Sequence, residues 1–186
     1  PQSQDMEYLR TSLLVSALRA ISHNIKKGEK DIAVFEIGNT FEKLKDNLNS
    51  FSDFEERKKL IFIITGKKQN RKWYSDELEY DIFDLKGLIN SFLSKISLDN
   101  VLNDSYNSIQ NKIYDYQFTV NFKDSVFGVG GKVSKNVLKM FDINQSVFSF
   151  ECDLDIFKKL SSERRTFTEL LKYPKVYGDF ARAEAR

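Results

Sequence analysis

The order and spacing of apolar residues predict an α+β fold, a mostly antiparallel sheet flanked by helices. Three observations carry that expectation. Asp31 to Glu42 alternates: Ala33, Phe35, Ile37, Asn39 and Phe41 interleave with Val34, Glu36, Gly38 and Thr40, which reads as a strand with one apolar face and one mixed face. Tyr116 to Phe122 and Val126 to Val133 alternate on either side of Lys123-Asp124-Ser125, the pattern of a hairpin. Leu13, Leu14, Ala17, Leu18, Ile21 and Ile25 recur at helical spacing.

The elements follow in order. Residues 1–10 are polar and are expected to be extended or loop. A helix is expected from about Ser12 to Lys27, capped by Thr11 or Ser12 and stopped by Gly28 after two lysines. In the strand from Ile32 to Phe41, Gly38 marks a bulge or a close backbone approach. Residues 44–58, rich in Asn, Ser and charge, are expected to be a loop. Leu60 to Thr65 is a continuous apolar run ending at Gly66, a central strand, and Lys67 to Asn70 a turn. Trp73 and Tyr74 open a loop leading to a helix capped by Asp81, whose apolar face is Phe83, Leu85, Leu88, Ile89, Phe92, Leu93 and Ile96. A short strand near Val101 is the one expectation for residues 98–112. After the hairpin, Ser134 caps a short helix through Leu138 and Met140. Ser146 to Cys152 alternates as a strand, and Asp153 caps one helical turn to Leu160. The helices are expected on one side of the sheet. Phe35, Ile37, Ile61, Ile63, Phe118, Val120, Phe148 and Phe150 should be buried.

Composition narrows function. Of 186 residues, 41% are hydrophobic and 30% charged, which fits neither a disordered nor a membrane chain. No apolar run is long enough to span a bilayer. Pro1 to Arg10 lacks an apolar core, so no signal peptide is expected, and the start without methionine suggests a segment of something longer. The single cysteine, Cys152, excludes an internal disulfide and fits a reducing cytosol. A net charge of +2 argues against a general polyanion binder.

Catalytic constellations are hard to assemble. With His23 as the only histidine, neither a His-rich metal site nor a His-based triad is available. Cys152 lies in a strand with no histidine to activate it, the setting of a buried inert thiol. Gly128-Val-Gly-Gly131 lies within a strand and lacks the Lys-Ser/Thr ending of a phosphate loop, so it reads as a strand passing close to another backbone. Asp81 and Asp84 read as a cap and a helix-surface charge. Lys67, Lys68, Arg71 and Lys72 beside Trp73 and Tyr74 are either a solvated loop or a small RNA contact combining charge with stacking.

Four stretches, in order, resemble the beta subunit of bacterial phenylalanyl-tRNA synthetase. Tyr8-Leu-Arg-Thr-Ser-Leu-Leu14, with Asn24 closing its helix, resembles the opening of that subunit's synthetase-like domain. Val34 to Phe41 resembles its next strand. Trp73 followed by Tyr80-Asp-Ile-Phe-Asp-Leu-Lys-Gly87 resembles its specific Trp…Asp-Phe-x-Asp-x-Lys-Gly pattern. Leu171 to Ala181 resembles the start of its C-terminal anticodon-binding domain. The resemblance implies a non-catalytic class II aminoacyl-tRNA synthetase-like domain over residues 1–160. Residues 161–186 would be a linker and the truncated beginning of the anticodon-binding domain. Two departures stand out: Gln110 to Asp115 replaces the family's His-Pro-Gly, and Gly178 stands where an arginine usually precedes the last motif's Asp.

The resemblance also locates a lost site. Class II synthetases grip the ATP α-phosphate with an arginine after Gly-x-x-Tyr/Phe; Gly38-Asn-Thr-Phe-Glu42 resembles that strand with Glu42 at the arginine position. At ~4 Å and an effective dielectric of ~20, lost attraction and gained repulsion are roughly 4 kcal/mol each. The Gly-rich third motif would fall near Phe148 to Lys158, which has neither glycine nor arginine. The implied role is structural support of the catalytic alpha subunit in an α2β2 cytoplasmic enzyme. ATP and Mg2+ would belong to the holoenzyme, with no cofactor in this segment, and tRNA would be met through the holoenzyme. The resemblance implies that the first helix packs on the alpha subunit, with Arg10, Leu14, Val15, Leu18 and Arg19 at the joint. A helix facing only its own core is the competing reading. An independent RNA-binding or protein-interaction module is the alternative function.

Overall fold

The computed structural model describes residues 9–45, 50, 53–96, 102–105, 112–122 and 125–156. Its elements are α1 (Leu14–Lys26), β1 (Ile32–Lys43), β2 (Phe54–Thr65), β3 (Lys67–Gln69), β4 (Leu78–Glu79), α2 (Ile82–Lys95), β5 (Leu102–Ser105), β6 (Tyr114–Phe122), β7 (Ser125–Val133), α3 (Lys135–Met140) and β8 (Val147–Asp153). Six strands form one sheet in the order β1-β2-β8-β7-β6-β5, and β3 and β4 form a separate ribbon. All of the sheet's neighbouring pairs are antiparallel. The antiparallel α+β expectation holds. The expected domain boundary near residue 160, the segment 161–186 and the turn at Lys123-Asp124 lie outside the described residues.

The helices divide between the two faces of the sheet, which corrects the one-sided arrangement. Along β2 the side chains alternate: Ile61 and Ile63 pack with Leu13, Leu14, Ala17, Leu18 and Ile21 of the α1 layer. Leu60 and Ile64 pack with Leu85, Ile89 and Leu93 of α2. A continuous apolar run suits a strand with both faces covered, and here it occupies the second position of the sheet.

Local signals act where expected. The Asp81 carboxylate accepts from the backbone N–H groups of Phe83 and Asp84 at 2.8 and 2.9 Å, while Asp84 accepts from Asp81 N–H at 2.9 Å, a reciprocal capping box. Gly28 (φ 98°) ends α1. Ser134 caps α3. Gly128 and Gly130 let the rings of Phe150 and Phe118 lie against β7, and those rings stack at 6.0 Å and 4°. A Cβ on Gly131 would overlap the Tyr116 carbonyl oxygen. The glycines of this strand therefore serve close packing. Gly38 sits in an unbroken register, so it marks a close approach and not a bulge; its missing Cβ makes room for the Arg10 guanidinium and Leu13.

Several expectations need correction. Residues 54–58 are strand, not loop: β2 begins at Phe54, and its charged half is held in register opposite Thr40 to Lys43. Lys67 to Gln69 is a strand of the small ribbon, not a turn. Phe83 and Leu88 lie on the outer side of α2, 72% and 41% exposed, because Leu85, Ile89 and Leu93 at four-residue spacing take the inner side. Ile61, Ile63, Phe118, Val120, Phe148 and Phe150 are buried, but Phe35 and Ile37 are 67% and 51% exposed. β1 is the edge strand, while α2 lies over β8 and β2. Phe62 reaches the Phe92 ring at 5.4 Å, and Phe35 only leans on Phe62 at 6.5 Å.

Candidate functional site

The position of Glu42 anchors the site. Thr40 and Glu42 share the α1 face of the sheet with Arg57 and Glu55, their partners on β2. Lys59 follows on the same face opposite Gly38, and β8 adds Glu151 opposite Ile61 and Asp153 opposite Lys59. Of these, Arg57, Lys59, Glu151 and Asp153, with Ser12, Leu14, Tyr114 and Phe127, line a cleft of about 270 Å³ between the start of α1 and the sheet, and Glu42 and Glu55 reach Arg57 from beside it.

Arg57 and Lys59 carry the positive charge of this cleft, and carboxylates surround both. Arg57 lies 2.8 Å from Glu55, 3.5 Å from Glu42 and 3.8 Å from Asp153. Lys59 lies 3.3 Å from Glu151 and 3.6 Å from Glu42. The hydrogen bond to Glu55, with the nearby charges of Glu42 and Asp153, holds the Arg57 guanidinium above its ordinary pKa against the opposing effect of burial. Glu151 also accepts the Ser12 hydroxyl at 2.7 Å and the Leu13 backbone N–H at 2.9 Å. A carboxylate from β8 thus occupies the anion-favouring start of α1. Both cations of the cleft, Arg57 and Lys59, are engaged by the chain's own carboxylates. These residues do not fit a nucleotide triphosphate.

The sequence singled out Glu42 and missed Arg57, Lys59 and Glu151. Arg57-Lys58-Lys59 is a visible basic run, but its role depends on β2 beginning early enough to set Arg57 opposite Thr40. Nothing local to Glu151 announces a bond to Ser12, 139 residues away.

The remaining candidates separate clearly. Leu14 and Leu18 are buried in the domain's own core, 7% and 1% exposed, whereas Val15 is 50% exposed and Arg19, one turn later, is also exposed. Arg10 binds Glu36 at 2.7 Å and donates from Nε to the Asn39 carbonyl at 2.8 Å. His23 is exposed. Cys152 is buried, and burial pushes its thiol well above the ordinary range. Tyr114, whose hydroxyl is 3.2 Å from Ser149 Oγ, is pushed up to about 12 by burial. Lys67 pairs with Glu77 and Lys68 with Asp84. Arg71 and Lys72 have no ion pair among the described residues. Trp73 is 95% exposed, edge-on to Tyr74 at 5.1 Å, with the Lys72 ammonium 5.6 Å from the Tyr74 ring centre.

Known proteins decide the family. Residues 1–154 match the model of the phenylalanyl tRNA synthetase beta chain CLM domain. The chain belongs to the phenylalanyl-tRNA synthetase beta chain family. It is 28% identical over 190 residues to a phenylalanine-tRNA ligase beta subunit of Chlorobaculum tepidum, covering 97% of this chain and 23% of the relative. The Syntrophus aciditrophicus beta subunit is 29% identical over 182 residues, covering 97% and 22%. This beta-chain domain therefore spans less than a quarter of the length of those relatives. Two solved structures of pyrrolysyl-tRNA synthetase from Desulfitobacterium hafniense share its fold, with TM-scores of 0.55 and 0.60 at 12% and 13% identity. Each covers 82% of this chain and 50% of its own. The sheet with flanking helices is thus of class II synthetase type. No helix among the described residues is long and apolar enough to cross a membrane.

Proposed function

We propose that this domain is a non-catalytic scaffold within a phenylalanyl-tRNA synthetase beta subunit, supporting a catalytic alpha subunit that attaches phenylalanine to its tRNA. The observation that carries the reading is the ionic lattice in which Glu42, Glu55, Glu151 and Asp153 surround Arg57 and Lys59, an arrangement that repels rather than attracts a phosphate. ATP and Mg2+ serve the holoenzyme through the alpha subunit, in an α2β2 assembly in the cytoplasm. The purified segment should give no phenylalanine-dependent pyrophosphate exchange above a heat-killed control; exchange would falsify the reading.

The joint with the alpha subunit is proposed on the outer line of α1. Val15 and Arg19 stand there one turn apart, with Arg10 at the rim, while Leu14 and Leu18 support the helix from below. Val15→Asp should leave the circular dichroism of the segment unchanged and reduce co-purification of tagged subunits at least about tenfold, since a carboxylate would be buried at the joint. Unchanged association with a folded variant removes Val15 from the interface.

A second reading is favoured by Trp73, whose exposure beside Tyr74, Arg71 and Lys72 suits stacking on single-stranded RNA. Salt-dependent RNA affinity lost in Trp73→Ala would support it. Affinity unchanged by the substitution would remove this ribbon.

A further inference from the structure

The edge strand β1 is open in its middle and apolar on both sides. The Phe41 N–H donates outward to the Arg10 carbonyl at 2.8 Å, and the Asn39 carbonyl accepts outward from Arg10 Nε. The register with β2 is unbroken, so Ala33, Phe35 and Ile37 also direct their N–H and C=O groups outward, while Val34 and Glu36 bond to β2. Among the described residues nothing meets those outward groups. Phe35 and Ile37 are exposed on the α2 side. On the other side Val34 is 48% exposed beside an apolar cavity of about 260 Å³ bounded by Ala17, Ala20 and Ile21 of α1. Glu36, the one charge of this stretch, is turned inward onto Arg10 and Ser16. Open edges are normally blunted by charge, proline or a bulge; between Ala33 and Ile37 this one has no proline and no bulge, and its single charge is paired with Arg10.

We infer that this edge is completed, in the full-length beta subunit, by a further extended stretch of the subunit's own polypeptide with apolar side chains on alternate residues. Outward donors and acceptors repeating every second residue are matched by a strand and not by a helix. Arg10 already holds the edge at Asn39 and Phe41, so the new strand continues an existing contact. Self-pairing of two copies would extend over Ala33 to Ile37 only, far short of a standard dimer interface. A tethered segment has a high effective concentration, which makes so short a pairing stable. A relative has room for such a stretch, since the Chlorobaculum tepidum beta subunit is matched over only 23% of its length.

Residue-resolved amide hydrogen exchange on the full-length subunit, alone and with the alpha subunit, tests this against the 186-residue chain. Ala33, Phe35 and Ile37 should exchange at least about a hundredfold more slowly in the full-length subunit alone than in the short chain, while Val34 and Glu36 change little. Phe35→Asp, harmless on an open edge, should return the three amides to fast exchange in the full-length subunit. Fast exchange in the wild-type full-length subunit overturns the inference. So does protection that needs the alpha subunit, or protection in the short chain that rises with concentration. None of these readouts depends on Val15 or on pyrophosphate exchange.

Discussion

β8 and β1 are similar as sequences and opposite as environments. Both alternate, and both carry phenylalanine on one face. In β8 the residues Val147 to Phe150 are all buried, with Phe150 stacked on Phe118 and tilted on Phe127 at 6.4 Å. In β1, Phe35 and Ile37 remain in solvent although they share the α2 side with Phe150. β8 has a strand on each side and α2 above it, whereas β1 has one strand beside it and leaves Phe35 and Ile37 exposed on the α2 side. Apolar character is thus a property of the residue, and burial a property of its place in the strand order. An edge that keeps such side chains is a surface to be covered, while the centre of the sheet has nothing left to gain.

Substitution can break that comparison. Phe150→Ala should cost about 3–5 kcal/mol in denaturant unfolding, because it removes a fully buried ring from a stack. Phe35→Ala in the same segment should cost within about 0.5 kcal/mol. Equal losses would mean that the edge is covered in the isolated segment.

Gly131→Ala sharpens the contrast at the backbone level. The added methyl meets the Tyr116 carbonyl oxygen of the neighbouring strand, so a loss of about 1–3 kcal/mol is expected. The midpoint of thermal unfolding reads it, and an unchanged midpoint would show that β6 and β7 can separate at no cost.

A smaller effect is expected at Asp84, away from the sheet. Burial alone would raise its carboxyl pKa. The hydrogen bonds from Lys68 and from the Asp81 N–H outweigh that and hold it below the ordinary value. With the folded pKa depressed, the stabilisation is present above the unfolded-state pKa and fades as pH falls through the folded one. Asp84→Asn should therefore cost stability near neutral pH and flatten the acid limb of a melting-temperature profile, by a modest amount because Lys68 is one-third exposed. A steeper acid limb in the variant would contradict the assignment.

Much of the fold was legible because its signals are local. The Asp81 cap operates within three residues, and the stop at Gly28 needs only its own backbone. The α1 stripe, the apolar run of β2 and the glycine-spaced hairpin each carry their own period. The early start of β2 escaped because Glu55 to Lys59 has no apolar pattern and is held by cross-strand partners. Of the site, Glu42 was legible only through its place after Gly38-Asn-Thr-Phe41. Arg57, Lys59 and Glu151 were not, since the chain gathers them from two further strands.

By itself the sequence determined most of the secondary structure, the antiparallel class and the family resemblance, because periodicity, capping and motif residues are read from the chain itself. Tertiary structure alone decided that β1 lies at an edge, that α1 and α2 take opposite faces, and that Glu151 meets Ser12 and Lys59. The physical reason is that strand order and charge pairing depend on distances between residues far apart in the chain. Those distances are set by how the sheet packs as a whole, and no local pattern encodes them.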